Sequence, residues 1–128
     1  MIHEEICTYE VAKLAKEKGF DVQTFDWYDY TGNYHKGFIP HELHECPRYK
    51  EYYAPTQSLL QRWLREEKNI HIEIIATASG YYWCVNKTNG TSITDSDVLN
   101  RGTNEGGCFD TFELALEDAL KYTLENLV

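Results

Sequence analysis

Long hydrophobic runs are absent from this chain of 128 residues. No stretch approaches the roughly 18–20 apolar residues that a membrane-spanning helix needs, which argues against an integral membrane protein. The opening residues, MIHEEICTYEVAKLAK, are acidic and then amphipathic, and this is not the pattern of a secretory signal peptide. We therefore expect a cytoplasmic protein that does not associate with a membrane.

Positively charged side chains are few. The chain has 12 lysines and arginines against 21 aspartates and glutamates, which gives a formal net charge of −9. Nucleic-acid binding normally depends on clustered lysines and arginines, so direct binding to DNA or RNA is not expected. The one compact basic group, Arg62, Arg65 and Lys68, is interrupted by Glu66 and Glu67, a pattern typical of a solvated helix face.

Recognisable catalytic motifs are missing as well. The chain has no G-x-S-x-G, no H-E-x-x-H, no phosphate-binding glycine loop and no dinucleotide fingerprint. Its four cysteines include no C-x-x-C pair, so in a reducing compartment they are most simply free thiols. No cofactor is predicted, and the sequence favours a binding protein over an enzyme.

Three helices are predicted from the spacing of the apolar residues. The first covers about residues 8–18 and ends at Gly19, whose left-handed conformation would let the next residue fold back. The second covers about residues 56–68 and ends at Asn69. The third follows Asp110, which is predicted to be its N-cap, and docks an apolar face that includes Leu120 on a sheet.

That sheet is predicted from a hairpin of residues 70–78 and 81–85. With residues 79–80 as a two-residue loop, Ala76 lies opposite Trp83 and Ile74 lies opposite Val85. The alternation of side chains along each strand predicts one apolar face, formed by Ile70, Ile72, Ile74, Trp83 and Val85. A third strand is expected at residues 91–94, followed by a polar loop over residues 96–107.

Residues 20–53 have a weaker pattern. Residues 22–28 and 34–39 predict a second hairpin across Thr31-Gly32-Asn33, and residues 40–53 predict a long connection of the kind where partners often bind. Taken together, these features predict a single α+β domain over residues 1–128. Its antiparallel sheet has about three to five strands, and three helices pack mainly on one face.

The segment His41-Glu42-Leu43-His44-Glu45-Cys46 holds the candidate metal ligands. Two imidazoles and a thiol, His41, His44 and Cys46, are suitable zinc or copper ligands, and His35 is a candidate fourth. The alternative is an exposed polar loop, because His-x-x-His-x-Cys matches no recurrent zinc module. The other candidate for thiol chemistry is Cys84 with His71 on the outer face of the hairpin.

The chain has ten tyrosines, and they concentrate in the weakly patterned region. Tyrosine packs through its ring while its hydroxyl stays in water, so it suits partly exposed interfaces. The alternative is that these rings cover one side of a small sheet. The predicted interface residues, which include two from the outer face of the hairpin, are Tyr28, Tyr30, Tyr34, Tyr49, Tyr52, Tyr53, Ile75 and Tyr82. With Cys84, the outer face could also support a homodimer.

Three segments carry a resemblance: YYAPTQSLLQRWLREEKNIHIEI, GYYWCV and FDTFELALEDALKYTLENL. Together with the opening YEVAKLAKEKGFD, they resemble a group of small uncharacterised proteins encoded on prophages and mobile elements of gut bacteria. The resemblance covers the second half well and residues 20–53 less. It implies a compact α+β domain and an accessory role such as modulating a host protein, and it implies no activity or catalytic residue.

The sequence therefore leads to one functional hypothesis and two alternatives. The first is an accessory domain that acts through protein–protein contacts. The second is an acidic decoy that occupies the basic groove of a nucleic-acid-binding protein. The third is a metal- or thiol-dependent enzyme that uses His41, His44 and Cys46.

Overall fold

The computed structural model describes residues 2–40, 50–99 and 107–128. In chain order the elements are α1 (Tyr9–Glu17), β1 (Trp27–Tyr28), β2 (Tyr34–His35), β3 (Tyr52–Tyr53), α2 (Gln57–Lys68), β4 (Ile70–Thr77), β5 (Gly80–Lys87), β6 (Ser92–Asp95), α3 (Ser96–Leu99) and α4 (Phe112–Asn126). The strands form two antiparallel sheets with the orders β2-β1-β3 and β4-β5-β6. The predicted α+β fold class is confirmed, with the strands divided between two sheets and one short additional helix.

Helix α1 begins and ends as the sequence predicts. Thr8 is its N-cap, and its hydroxyl accepts a hydrogen bond of 3.3 Å from the backbone N–H three residues on. After the helix, Gly19 has a φ of +98°, and Phe20 donates its N–H to the carbonyl of Ala15 at 2.9 Å. This is a Schellman ending. It turns Phe20 back so that its ring packs edge-on against Trp63, with 5.4 Å between the ring centres.

Helices α2 and α4 also begin at threonine N-caps. The Thr56 and Thr111 hydroxyls each accept a hydrogen bond of 3.1 Å from the N–H three residues on. Helix α2 ends at Asn69, whose φ of 58° is left-handed as predicted. The predicted cap at Asp110 is wrong by one residue, because Thr111 has the extended backbone of an N-cap and the hydroxyl that reaches the helix. In the described residues, no helix has both the length and the apolar composition that crossing a membrane requires.

Strands β4 and β5 form the predicted hairpin in a different register. Gly80 pairs with Thr77, so residues 78–79 form the loop, one position earlier than predicted. As a result Trp83 pairs with Ile74 rather than with Ala76. Every predicted pair is displaced by two residues, and because side chains alternate with a period of two, each remains on its predicted face.

Two segments that are predicted to be irregular contain short regular elements. Strand β3 lies inside the expected connection over residues 40–53 and pairs with β1. Helix α3 lies inside the expected polar loop over residues 96–107. Its first residue, Ser96, is fully buried, and its hydroxyl accepts a hydrogen bond of 3.0 Å from the N–H of Trp83. Such short polar elements are too brief to establish a hydrophobic period.

One hydrophobic core joins the second sheet to the helices. Helix α4 contacts β4, β5, α1 and α2, so it lies at the centre of the packing. Ile72 and Trp83 are each 1% exposed and belong to the same cluster as the fully buried Leu60 and Leu120. The predicted apolar face of the hairpin and the predicted docking of the last helix are confirmed.

A carboxylate of α4 lies where α1 and α2 begin. Glu117 accepts a hydrogen bond of 2.7 Å from the backbone N–H of Thr8 and one of 2.8 Å from the side-chain amide of Gln57, the buried first residue of α2. The same amide donates to the carbonyl of Glu113 at 2.9 Å. Because a helix N-terminus carries partial positive charge, the position favours a negatively charged side chain. Glu117 therefore ties three helices together.

We expect Glu117→Gln to lower the free energy of unfolding by roughly 1–3 kcal/mol, since hydrogen bonds to a charged group contribute about that much. Urea denaturation of both proteins measures the difference. Glu125→Gln is the matched control in the same helix, because Glu125 is exposed and its 3.9 Å ion pair with Lys121 should contribute less than about 0.5 kcal/mol. Equal stability of the Glu117→Gln variant and the native protein would contradict the proposed role of this carboxylate.

Candidate functional site

The candidate site is a cleft between α1 and the first sheet. Three tyrosines, three lysines and one acid line it, and we call it the tyrosine–lysine cleft: Tyr9, Lys13, Lys16, Glu17, Tyr30, Lys50 and Tyr52. Three of the 12 basic side chains of a chain with net charge −9 thus line one cleft, together with a single acid among residues 2–40, 50–99 and 107–128. The local charge is opposite to that of the whole protein.

Tyrosine rings pack edge-on to form the floor of this cleft. Tyr9 of α1 lies 5.6 Å from Tyr52 of β3 and 5.7 Å from Tyr28 of β1, measured between ring centres. The Tyr9 hydroxyl donates to the carbonyl of Tyr30 at 3.3 Å, and the Tyr28 hydroxyl donates to the carbonyl of Cys7 at 2.7 Å. Perpendicular rings with tethered hydroxyls give a rigid surface, since neither ring can rotate without losing a contact.

Tyr28, Tyr34 and Tyr52 remain neutral phenols at physiological pH. Burial, aided by the neighbouring Cys7 and Glu117, raises the pKa of Tyr28 to about 12. Burial, aided by the hydrogen bond to Asp26, also raises the pKa of Tyr34 to about 12. For Tyr52, burial is again the main cause of a raised pKa. These side chains therefore act as hydrogen-bond donors and apolar surfaces, and they add no negative charge near the lysines.

The lysines are arranged around the tyrosine floor. Lys16 donates to the carbonyl of Glu51 at 2.8 Å, and its ammonium nitrogen lies 5.1 Å from the centre of the Tyr52 ring. Lys13 precedes it by one helical turn on α1 and is exposed, as is Lys50. Neither Lys13 nor Lys50 forms an ion pair with any other residue that the structure describes. Lys16 is thus held in place, while the other two are open to an anionic ligand.

A second cleft, of about 320 Å³, adjoins the first. We call it the apolar cleft, and its lining residues are Ala12, Lys16, Gly19, Phe20, Asp21, Ile39, Glu51 and Tyr53. Ala12 and Phe20 are nearly fully buried, and Ile39 and Tyr53 are half-buried. Since Lys16 lines both clefts, the two share a boundary.

Asp29 stabilises the hairpin of β1 and β2, which lies beside these clefts. One carboxylate oxygen accepts hydrogen bonds from the N–H groups of Thr31 and Asn33, at 2.9 and 3.0 Å, and the other lies 2.7 Å from His35. Desolvation acts in the opposite direction, but the hydrogen bonds from Thr31, His35 and Asn33 hold the pKa of Asp29 well below its usual range. The His35 ring also stacks on Trp27 at 4.4 Å. In the described part of the chain, His35 therefore stabilises the hairpin.

The structure brings some of the predicted interface residues together and separates others. Tyr28, Tyr34, Tyr52 and Tyr53 lie in the first sheet, and Tyr30 lies in the turn after β1. Tyr30 and Tyr34 are exposed, whereas Tyr52 is buried beneath Lys16. Ile75 and Tyr82 belong to the second sheet, where they face each other and are half-buried. Tyr49 lies outside the described residues.

Sequence reasoning did not identify the lysines or Tyr9 as part of this site. In the sequence, Lys13 and Lys16 fit the C-terminal part of a helix, where the dipole favours cations, and Lys50 follows a segment with no clear period. A usable signal was present, because Tyr9, Lys13 and Lys16 fall on one helical face of a sequence that is otherwise acidic. The structure adds that this face meets β3.

Two exposed aromatic rings lie close in the chain to β1 and β2 of the first sheet. Phe25 and Phe38 are 61% and 64% exposed, and their ring centres lie 4.9 Å apart. Large apolar side chains exposed in this way are typical of surfaces that contact other proteins.

The predicted metal ligands His41, His44 and Cys46 lie outside the described residues. Within residues 2–40, 50–99 and 107–128, no group of three or more histidines, cysteines or acids is placed to hold a metal ion. Cys84 lies opposite Glu73, with 3.7 Å between its sulfur and the carboxylate, rather than opposite Ile75 as the predicted register required. Burial and then Glu73 raise the pKa of Cys84, which favours the thiol over the nucleophilic thiolate.

Comparison of the chain with protein families, with curated proteins and with solved structures finds no match.

Proposed function

We propose that this protein is a small binding module that holds an acidic segment of a partner protein in the tyrosine–lysine cleft. The observation that carries the proposal is the local reversal of charge: in the described part of the chain, three lysines and one acid line this cleft, whereas the net charge of the whole chain is −9. Charge complementarity of this kind steers a partner to one surface and disfavours others.

The geometry supports recognition of carboxylates that are attached to a polypeptide. Lys13 and Lys50 can each approach an anion, and Lys16 is already oriented by the Glu51 carbonyl. The rigid rings of Tyr9 and Tyr52 offer flat apolar surface, which binds a peptide at a small cost in conformational entropy. Phe25 and Phe38, which pack against each other near β1 and β2 in the chain, offer further exposed apolar surface.

Single-stranded nucleic acid is the competing ligand, because it also binds aromatic rings flanked by lysines. The negative charge of the whole chain opposes a phosphate backbone, whose binding requires a continuous basic groove. A short acidic peptide needs only the local cations. The accessory role implied by the resemblance fits a domain that acts by contact, while the predicted homodimer and acidic decoy remain predictions.

Reversing two lysine charges tests the proposal. The probe is a fluorescein-labelled pool of ten-residue peptides that contain four glutamates at fixed positions, followed by fluorescence anisotropy. We expect saturable binding that weakens as salt is added, and roughly tenfold weaker binding by the Lys13→Glu/Lys50→Glu variant, since two ion pairs become repulsive contacts.

The control variant is Lys36→Glu/Lys87→Glu, which changes the net charge equally at exposed lysines that line neither cleft. It should bind the peptide pool within about twofold of the native protein if the effect is local. Equal weakening by both variants would overturn the proposed site. Tighter binding of a single-stranded thymidine oligonucleotide than of the acidic pool would overturn the proposed ligand class.

A further inference from the structure

We propose that the segment recognised by this protein has two parts: a run of acidic residues in the tyrosine–lysine cleft and one aliphatic or aromatic side chain in the apolar cleft. This inference rests on the proposed function, because it assigns a second subsite to the same ligand. Its starting observation is that Lys16 lines both clefts, so a peptide that reaches Lys16 from one side meets the other cleft next.

The lining of the apolar cleft fits an apolar side chain. Ala12 and Phe20 are 2% and 5% exposed, so they form a closed apolar base. Ile39 and Tyr53 are half-buried and add apolar walls. A pocket of this size, mostly apolar with a few polar groups at one side, is typical of sites for a single side chain or a small ligand.

The two clefts differ in the charged residues that line them. Among the residues that the structure describes, Asp21 and Glu51 line the apolar cleft, whereas Glu17 is the only acid that lines the tyrosine–lysine cleft. A second acidic side chain of the ligand would be repelled by the rim of the apolar cleft, and an apolar side chain would not. The arrangement therefore rejects a uniformly acidic peptide at this position and selects a mixed one.

The boundary between the subsites is fixed. The ammonium of Lys16 is held by the carbonyl of Glu51 at 2.8 Å and by the ring of Tyr52. Its position sets the distance between the last acidic residue and the apolar residue of the ligand. The apolar preference should consequently appear at one position beside the acidic run and not at several.

A degenerate peptide library tests this arrangement. The probe is an acetylated library of the form X-X-X-Glu-Glu-Glu-X-X-X, where X is any residue except cysteine, selected on immobilised full-length protein and read by sequencing the bound pool. We expect Leu, Ile, Met or Phe to be enriched at least about threefold at a single position. From the best peptide, replacement of that residue by serine should weaken binding roughly tenfold.

Ile39→Asp is the informative variant, because Ile39 lines the apolar cleft and does not belong to the hydrophobic core cluster. Because its new carboxylate weakens both acidic peptides, the readout is the ratio of their affinities, and the apolar peptide should lose its advantage over the serine peptide. Val22→Asp is the matched control, since Val22 is an exposed aliphatic residue of the same region that lines neither cleft. Thermal melts followed by circular dichroism establish that both variants are folded.

The outcomes distinguish the two proposals. Binding of the library without an apolar preference at any X position, or an unchanged ratio of the two peptides in Ile39→Asp, overturns the second subsite and leaves the acidic cleft standing. Absence of any bound peptide overturns the proposed function, and with it this inference. Enrichment of Asp or Glu at the flanking position would contradict the assigned role of Asp21 and Glu51.

Discussion

The Leu120→Ala variant should lose about 3–5 kcal/mol of unfolding free energy. Leu120 is fully buried in α4, the helix that contacts both long strands of the second sheet. It belongs to the same cluster as Leu60, Ile72 and Trp83. Removing its side chain loses the free energy gained by burying it away from water. It also leaves a cavity, because the surrounding helices and strands cannot move together to fill the space.

Urea denaturation measures this loss, with the dependence on urea concentration compared between the variants. Leu114→Ala is the matched control, because Leu114 belongs to the same helix and is 54% exposed. It should change the stability by less than about 0.5 kcal/mol. A Leu120→Ala variant as stable as Leu114→Ala would show that α4 does not dock as described.

The helices and the buried face of the second sheet could be predicted because each depends on a local pattern. Apolar residues at helical spacing define α1, α2 and α4, and a left-handed residue ends both α1 and α2, at Gly19 and Asn69. The alternation along β4 and β5 determines which side chains face the helices, whatever the register. These features need no information from distant parts of the chain.

The register of the hairpin and the smaller elements could not be predicted from local patterns. A displacement of two residues leaves the same faces buried, so the hydrophobic pattern alone cannot choose between the two registers. The choice follows from contacts made later in the chain, where Tyr81 pairs with Phe109 and Ser96 bonds to Trp83. Likewise, β3 forms because it pairs with β1, a strand from an earlier part of the chain.

Only part of the candidate site could be predicted from the sequence, because the rest depends on contacts between distant segments. The abundance of tyrosine between residues 28 and 53 indicated a contact surface, and Tyr30 and Tyr52 line the cleft. The role of the lysines could not be predicted, because it depends on the packing of α1 beside β3, which brings residues of α1 next to Lys50. A cleft between elements that are distant in sequence is a property of the packing, and no single segment contains it.

Gly80→Ala should lower the free energy of unfolding by about 2–4 kcal/mol, because two costs combine at this position. Gly80 has a φ of +132°, a conformation that residues with a side chain rarely adopt. In addition, a β-carbon there would lie 2.5 Å from the carbonyl oxygen of Phe109. The segment at Phe109 must therefore move away, which breaks its two hydrogen bonds of 2.8 and 2.7 Å with Tyr81.

Gly90→Ala separates the two costs. Gly90 also has a positive φ, of +91°, but a β-carbon there meets nothing within 4 Å, so only the conformational cost of about 1 kcal/mol should remain. Chemical denaturation measures the stabilities, and hydrogen exchange of the Tyr81 and Phe109 amides should be faster in Gly80→Ala alone. If Gly80→Ala and Gly90→Ala lost equal stability and kept equal protection at these amides, the close approach of Phe109 to β5 would be wrong. The hydrogen bond between Ser96 and Trp83 would then be the one remaining contact, of the two named above, that selects the observed register of the hairpin.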